Sequence, residues 1–322
     1  MKLGFIGAGP IARHHAAAAL ACGAEIAAAC TSRRDSPNRP IFADIADVRW
    51  SINYRSLIDD PRLDALVVAV PWDFIEQILP DLLACDKPML IEKPLALSSP
   101  KMKDAIRWDY HKNKVVGFNR RFYQCVRTLK AKLRQQSPQY ALVTISEHLL
   151  HHQETTGAAV LKYLAEFTSI HTLDLVNHLF GPCDVMHASS WEKMGFVSYN
   201  AHLLPANNKG EFPIFLRLNA NDPTPIGITC LFPDGTSWVL SPLERLTIYK
   251  GMEIQPATEQ YKSRRFVPKA MRVIDESMNH KPGFKAQMKA FLSGDTSIAA
   301  KPEDNLRALE MLDDLAEAAN VK

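Results

Sequence analysis

Three short stretches of this 322-residue sequence combine residue types and spacings that can do chemistry. The first is Gly7-Ala8-Gly9-Pro10-Ile11-Ala12, set between an apolar stretch and an alanine-rich one. Gly7 permits a tight turn, Gly9 lacks the Cβ that would block a pyrophosphate, and Ala12 lets a helix lie close on the preceding strand. Pro10 suits the first helical turn, with Ile11 after it, because its missing N–H is not needed there. The free N–H groups at the start of such a helix, together with its dipole, attract phosphate. The second stretch is Glu92-Lys93-Pro94. A residue before proline is confined to extended backbone, and a lysine at the carboxyl end of a parallel strand can orient a hydroxyl or shuttle its proton. The third is His171-Thr172-Leu173-Asp174, whose His and Asp are three apart and share one face of a helix. His171 can take or return a proton, and Asp174 can orient the molecule that carries it.

These residues need a scaffold, and the pattern supplies one. Leu3, Phe5 and Ile6 predict a first strand, and Glu25 to Cys30 a second. Asp64 to Pro71 is a continuous apolar run, as in a parallel sheet covered on both faces. Phe74 to Ala84 has helical spacing with Pro80 inside it, Met89 to Ile91 is a strand, Pro100 to Trp108 a helix, and Val115 to Phe122 closes the sheet. Strand and helix alternate throughout, predicting α/β architecture with a Rossmann doubly wound parallel sheet over residues 1–120. The character then changes. Residues 140–147 alternate like a half-wet strand, Gly157 to Gly181 reads as one helix, and 183–260 as short strands split by Pro, Gly, Asn and Asp. Helices are expected at 284–293 and 303–320, giving a second α/β domain, 121–322, with a mostly antiparallel sheet.

The end of the second strand bears on cofactor type. An acid there would bind the ribose hydroxyls of NAD, but this chain has Ser32, Arg33 and Arg34, suited to the additional phosphate of NADP. NADP(H) is therefore the preferred expectation, with NAD(H) the alternative. Pro71, Trp72, Glu92 and Lys93 follow successive strands at the edge where a dinucleotide would lie. Asn119 and Arg120 stand where the chain enters the second domain, within reach of the nicotinamide end or the substrate, and Arg121 reads as structural.

Composition sets bounds. Hydrophobic residues make up 47% and charged residues 23%, as in globular proteins, and a net charge of +3 offers no field for nucleic acid or membrane surfaces. The paired arginines are too dispersed for a nucleic-acid stripe, although they could bind a sugar-nucleotide diphosphate. No apolar run reaches membrane-spanning length, and Arg13, His14 and His15 break the only leader-like stretch. Six cysteines lie far apart without a C-x-x-C pair, which predicts reduced thiols and a cytoplasmic location. Glu147-His148-Leu-Leu-His151-His152-Gln-Glu154 looks like a metal cluster, but H-E-x-x-H is absent, so a polar loop and no metal are expected. Hydrolase elbows and P-loops are missing as well.

Taken in order, Gly7 to Ala12, Glu92-Lys93-Pro94, Gly117-Phe118-Asn119-Arg120-Arg121-Phe122, and His171-Thr-Leu-Asp174 followed by Leu179-Phe-Gly181 resemble the Gfo/Idh/MocA oxidoreductases. Ser241 to Arg245 and Lys281 to Phe284 further resemble members from surface-polysaccharide pathways. The resemblance implies a large open sheet in the second domain, a homodimer or homotetramer, and reversible hydride transfer between a nicotinamide and a sugar-like carbinol carbon. Three positions depart from the family pattern. Phe167 stands where an Asp is usual, with Glu166 adjacent; Ser169 replaces a Gly; and Pro71 to Ile75 lacks the customary Asn and His. Either Glu166 substitutes for the carboxylate or Lys93 and His171 work without it. Two further readings stay open: a dinucleotide-binding sensor or scaffold without catalysis, and an imine reductase with His171 as acid.

Overall fold

In the computed structural model, which describes residues 1–107, 110, 112–206, 212–276 and 281–321, the alternation of apolar runs becomes a parallel sheet. Its elements are β1 (Lys2–Ile6), α1 (Pro10–Ala21), β2 (Glu25–Cys30), α2 (Asn38–Ala43), β3 (Arg49–Ser51), α3 (Arg55–Ile58), β4 (Ala65–Val68), α4 (Ile75–Ala84), β5 (Met89–Ile91), α5 (Ser99–Ile106) and β6 (Lys114–Val116). The six strands lie in the order β3-β2-β1-β4-β5-β6, all parallel, with the direction of winding reversing beside β1. Ligands of such sheets bind at that reversal, beyond the carboxyl ends of the strands. The alanines of α1 explain its close seat: Ala12, Ala16 and Ala19 are fully buried against Leu3, Phe5 and Val67. Trp108, the expected end of α5, lies outside the described residues.

After a 3₁₀ turn at Asn119–Phe122 come α6 (Gln124–Gln135), β7 (Tyr140–Glu147) and α7 (Leu149–Thr156). The stretch expected to be a polar loop is therefore a helix, and its His152 faces Glu147 at 3.4 Å. The single helix expected from Gly157 to Gly181 is broken into a 3₁₀ segment (Ala158–Tyr163), a π turn (Ala165–Ser169) and α8 (Ile170–Phe180). Gly157, at φ +96°, stops the preceding helix. Apolar spacing alone does not separate helices that differ by a fraction of a residue per turn.

Strands β8 (Cys183–Lys193), β9 (Phe196–Pro205), β10 (Ile214–Ala220), β11 (Gly227–Leu231), β12 (Thr236–Leu240), β13 (Arg245–Gln255) and β14 (Arg265–Asp275) follow, then α9 (Phe284–Ser293) and α10 (Pro302–Ala318). Four of these strands are 10 or 11 residues long, not short, and the last ends at Asp275, beyond the expected limit. Turn-type residues misled here for local reasons. Gly251 falls where the β13–β14 register shifts, and Pro268 lies on an edge strand, where its missing N–H is tolerated. The eight strands run β14-β13-β12-β11-β7-β10-β9-β8, antiparallel except for β7 beside β10.

The chain divides into two compact units. One comprises Met1–Phe122, Ala165–Leu175 and His280–Asp313; the other comprises Tyr123–Leu164, Val176–Asn279 and Asp314–Lys322. The first unit thus gathers Lys93, the π turn and His171 in one body. Among the described residues no helix is long and apolar enough to cross a membrane. The six cysteines are free thiols, and burial pushes Cys30 up to about 11 and Cys230 to about 12.

Candidate active site

The glycine turn is built as its residue types dictate. Gly7 has φ +101°, and a Cβ there would lie 2.1 Å from the Ala69 carbonyl oxygen, so only glycine fits. At Gly9 a Cβ would meet nothing within 4 Å, which leaves the space above the turn clear. Helix α1 begins at Pro10 with no side-chain cap and no acid in its first turn. Pro10 and Ile11 are exposed, and Ala12 is buried. Arg13 in that turn has a buried Nε without a partner among the described residues. Uncapped N–H groups, a helix dipole and an orphaned guanidinium nitrogen suit an anionic pyrophosphate. The residues present therefore fit a dinucleotide.

At the end of β2, Ser32, Arg33 and Arg34 are all exposed, and Arg33 holds only a loose pair with Asp35 at 3.5 Å. A fourth residue, not singled out from sequence, is Arg39. Its guanidinium donates to Thr31 Oγ1 at 2.6 Å and to the Ser51 carbonyl at 2.9 Å, and lies 4.9 Å from the centre of the Trp50 ring.

Glu92 and Lys93 follow β5 at the carboxyl edge of the sheet. Glu92 Oε1 meets His15 Nε2 at 2.7 Å, with His15 fully buried on α1. The carboxylate rests on Gly117, where a Cβ would stand 2.8 Å from Glu92 Cδ. His15 also packs on Phe284 of α9, ring centres 4.7 Å apart. Lys93, joined to Pro94 by a cis peptide, extends the other way. Its Nζ donates to the Phe167 carbonyl at 2.7 Å and lies 4.7 Å from the centre of the Phe167 ring. A π turn loosens the helical ladder and commonly marks a functional site. Here it presents its backbone oxygen, together with the face of an aromatic ring, to the Lys93 ammonium. Trp72 packs on the same ring, centres 6.2 Å apart, while Pro71 is exposed. Burial raises the carboxyl of the neighbouring Glu166 to about 7.

His171 lies four residues after Phe167, at the start of α8 and half-buried. Its ring stands edge-on to Phe118, centres 5.6 Å apart. Its Nδ1 is buried without a hydrogen-bond partner among the described residues. Burial, reinforced by the charges of Lys93, Arg120 and Lys281, holds the imidazole well below its ordinary 6.5. His171 is therefore a neutral base at physiological pH. Asp174 does not turn toward the same space. Its two carboxylate oxygens accept from Arg121 Nε at 2.8 Å and Arg121 NH2 at 2.5 Å, with both side chains buried and Asp304 3.5 Å from the guanidinium. The shared helical face is thus divided, His171 toward Lys93 and Asp174 into the interior. Arg120 donates to the buried Thr172 Oγ1 at 2.6 Å, and Asn119 Nδ2 to the Pro282 carbonyl at 3.0 Å. The structure therefore gathers Glu92, Lys93, Asn119, Arg120 and His171 in the first unit, with the glycine turn in the same unit.

Residues 1–120 match the Gfo/Idh/MocA family, described as an oxidoreductase family with an NAD-binding Rossmann fold. Over these residues the chain is similar to the Gfo/Idh/MocA oxidoreductases. It is similar to inositol 2-dehydrogenase of Acidothermus cellulolyticus, 31% identical over 186 residues, which is 56% of this chain and 53% of that protein. The match thus spans about half the length of that relative. Among solved structures, a dehydrogenase from Chromobacterium violaceum covers 100% of this chain and 95% of its own with a TM-score of 0.75 at 17% identity. An oxidoreductase from Agrobacterium radiobacter, solved in complex with NAD+, L-tartaric acid and magnesium, covers 100% and 96% with a TM-score of 0.72 at 18% identity. At these identities the likeness is one of fold, in both the parallel and the antiparallel sheet.

Proposed function

We propose that this chain is a nicotinamide-dependent oxidoreductase that moves a hydride between NADP(H), or NAD(H), and a carbon of a sugar, sugar nucleotide or related polyol. One observation carries the reading: a lysine ammonium is fixed one turn before a neutral histidine, in the same unit as an uncapped glycine turn that suits pyrophosphate. The turn and the first turn of α1, Gly7 to Ala12, would hold the pyrophosphate. Ser32, Arg33 and Arg34 would surround the additional phosphate of NADP(H), and their exposure together with the lack of an acid favours that form. Pro71, Trp72, Glu92, Lys93, Asn119 and Arg120 would line the path to the reacting end.

A bound nicotinamide supplies the two-electron acceptor or donor. In the oxidative direction His171 Nε2 takes the proton of the substrate hydroxyl, for which a depressed imidazole is already in the receptive form. Lys93 Nζ orients the hydroxyl oxygen and steadies charge that develops on it. In reduction the same groups return the proton to the carbonyl oxygen. Asp174 and Arg121 act behind the site by fixing the start of α8. The chain works in the cytoplasm, as a homo-oligomer joined through its open sheet.

The second reading, a dinucleotide-binding sensor or scaffold without turnover, draws on Phe167, which replaces a carboxylate by an aromatic ring beside Lys93. Lys93→Ala and His171→Ala distinguish the two. Each should lower turnover on a panel of sugars and polyols by about a hundredfold or more while leaving NADPH affinity within a few-fold. Tight NADPH binding with no turnover by the wild-type protein on any member would favour the sensor.

A further inference from the structure

Two cations beside His171 have no task in the proton transfer just described. Arg120 has Thr172 Oγ1 as its hydrogen-bond partner, a neutral oxygen, and Lys281 has the face of the Phe284 ring at 5.1 Å. Neither has a carboxylate partner at bonding distance among the described residues. The bond from Asn119 to the Pro282 carbonyl ties their two segments together, so the fold holds these like charges near each other against their repulsion. Of three nearby carboxyl groups only Glu92, itself bonded to His15, acts on Lys281, and the other two are committed elsewhere. Asp174 is held by Arg121, and Glu166 is largely buried with its proton retained up to about pH 7. The charges acting on His171, those of Lys93, Arg120 and Lys281, are all positive. Three cations against one carboxylate leave a net positive cluster, whose repulsion a bound anion offsets.

Resting on the oxidoreductase reading, we propose that Arg120 and Lys281 form a recognition site for an anionic group on the substrate, a carboxylate or a phosphate, so that the chain selects a sugar acid or sugar phosphate over the neutral sugar. The planar guanidinium, fixed through Thr172, suits two oxygens of such a group at once, and the ammonium supplies a movable second contact. The charged tail then sets which carbinol carbon lies between Lys93 and His171.

Calorimetric titration of the full-length protein in the presence of NADP+ tests this without requiring turnover. The probes are D-glucuronate, D-glucose phosphate and neutral D-glucose. At least one anionic probe should bind about tenfold to a hundredfold more tightly than glucose, and which of them does so identifies the group. Lys281→Met should abolish that difference, Lys281→Arg should restore it, and the NADP+ affinity should stay within a few-fold in both. Equal binding of all three probes would overturn the proposal, as would a Lys281→Met variant that weakens NADP+ while keeping the preference for anions, because the cations would then serve the cofactor. Anion preference without oxidation of any bound probe would leave this site standing and count against hydride transfer itself.

Discussion

Asp174 shows how far a residue's role depends on partners that sequence spacing does not reveal. From the sequence it shares a helical face with His171; in the fold its carboxylate is gripped by Arg121, 53 residues earlier, and both are buried. Removing one member of a buried pair strands the other's charge, so Asp174→Asn should lower unfolding stability by about 3–5 kcal/mol. Urea denaturation checks this, and Asp174→Leu combined with Arg121→Met should recover much of the loss. An Asn variant of wild-type stability with depressed turnover would return Asp174 to the substrate. The local settings of Lys93 and His171 were legible because short-range rules suffice: a lysine before proline after a strand, and a histidine on a helix. The partners of Glu92 were not, since His15 lies 77 residues away and the sequence shows only a His-His pair in a helix. Arg39 was missed for a similar reason, its anchors Thr31 and Ser51 lying just after β2 and at the end of β3.

At the scale of elements, the glycine turn, α1 and the parallel strands were legible because each is dictated by short-range sterics and apolar runs. The π turn was not. Its residues keep an apolar spacing compatible with an ordinary helix, and only the Phe167 carbonyl on Lys93 shows why the widened turn matters. Gly117 is a second element-level device, closing β6 against the carboxylate that follows β5. Gly117→Ala would place a Cβ 2.8 Å from Glu92 Oε1 and push the carboxylate off His15. Turnover should fall by roughly tenfold to a hundredfold, since small displacements of positioned groups are costly. Circular dichroism should show an intact fold, and unchanged turnover would mean that Glu92 has no part in the site.

On the scale of the whole molecule, the change from parallel α/β to antiparallel sheet was visible in the sequence, whereas the strand lengths were hidden by Gly251 and Pro268. One face of the large sheet is left open. Pairing registers line up His187, His202, Phe215, Leu142, Thr229, Val239, Thr247 and Val273 in a single row across all eight strands. Phe215 is 46% and Leu142 43% exposed, and His202 stacks on Phe215. A sheet face that exposes Phe215, Leu142 and Val273 suits a second copy of the chain. Leu142→Glu with Phe215→Glu should convert a dimer or tetramer to monomer in light scattering; a wild-type monomer would refute that assembly.

The central claim is that His171 is a base kept neutral by burial and neighbouring cations, working with Lys93 on a substrate hydroxyl. Its most direct test is the pH dependence of oxidation under single turnover, followed by nicotinamide absorbance. The acid limb should lie well below the ordinary imidazole value of 6.5 and should disappear in His171→Ala, leaving a slow, flat profile with the cofactor still bound. A wild-type limb at or above that value, or the same limb in the variant, would contradict it.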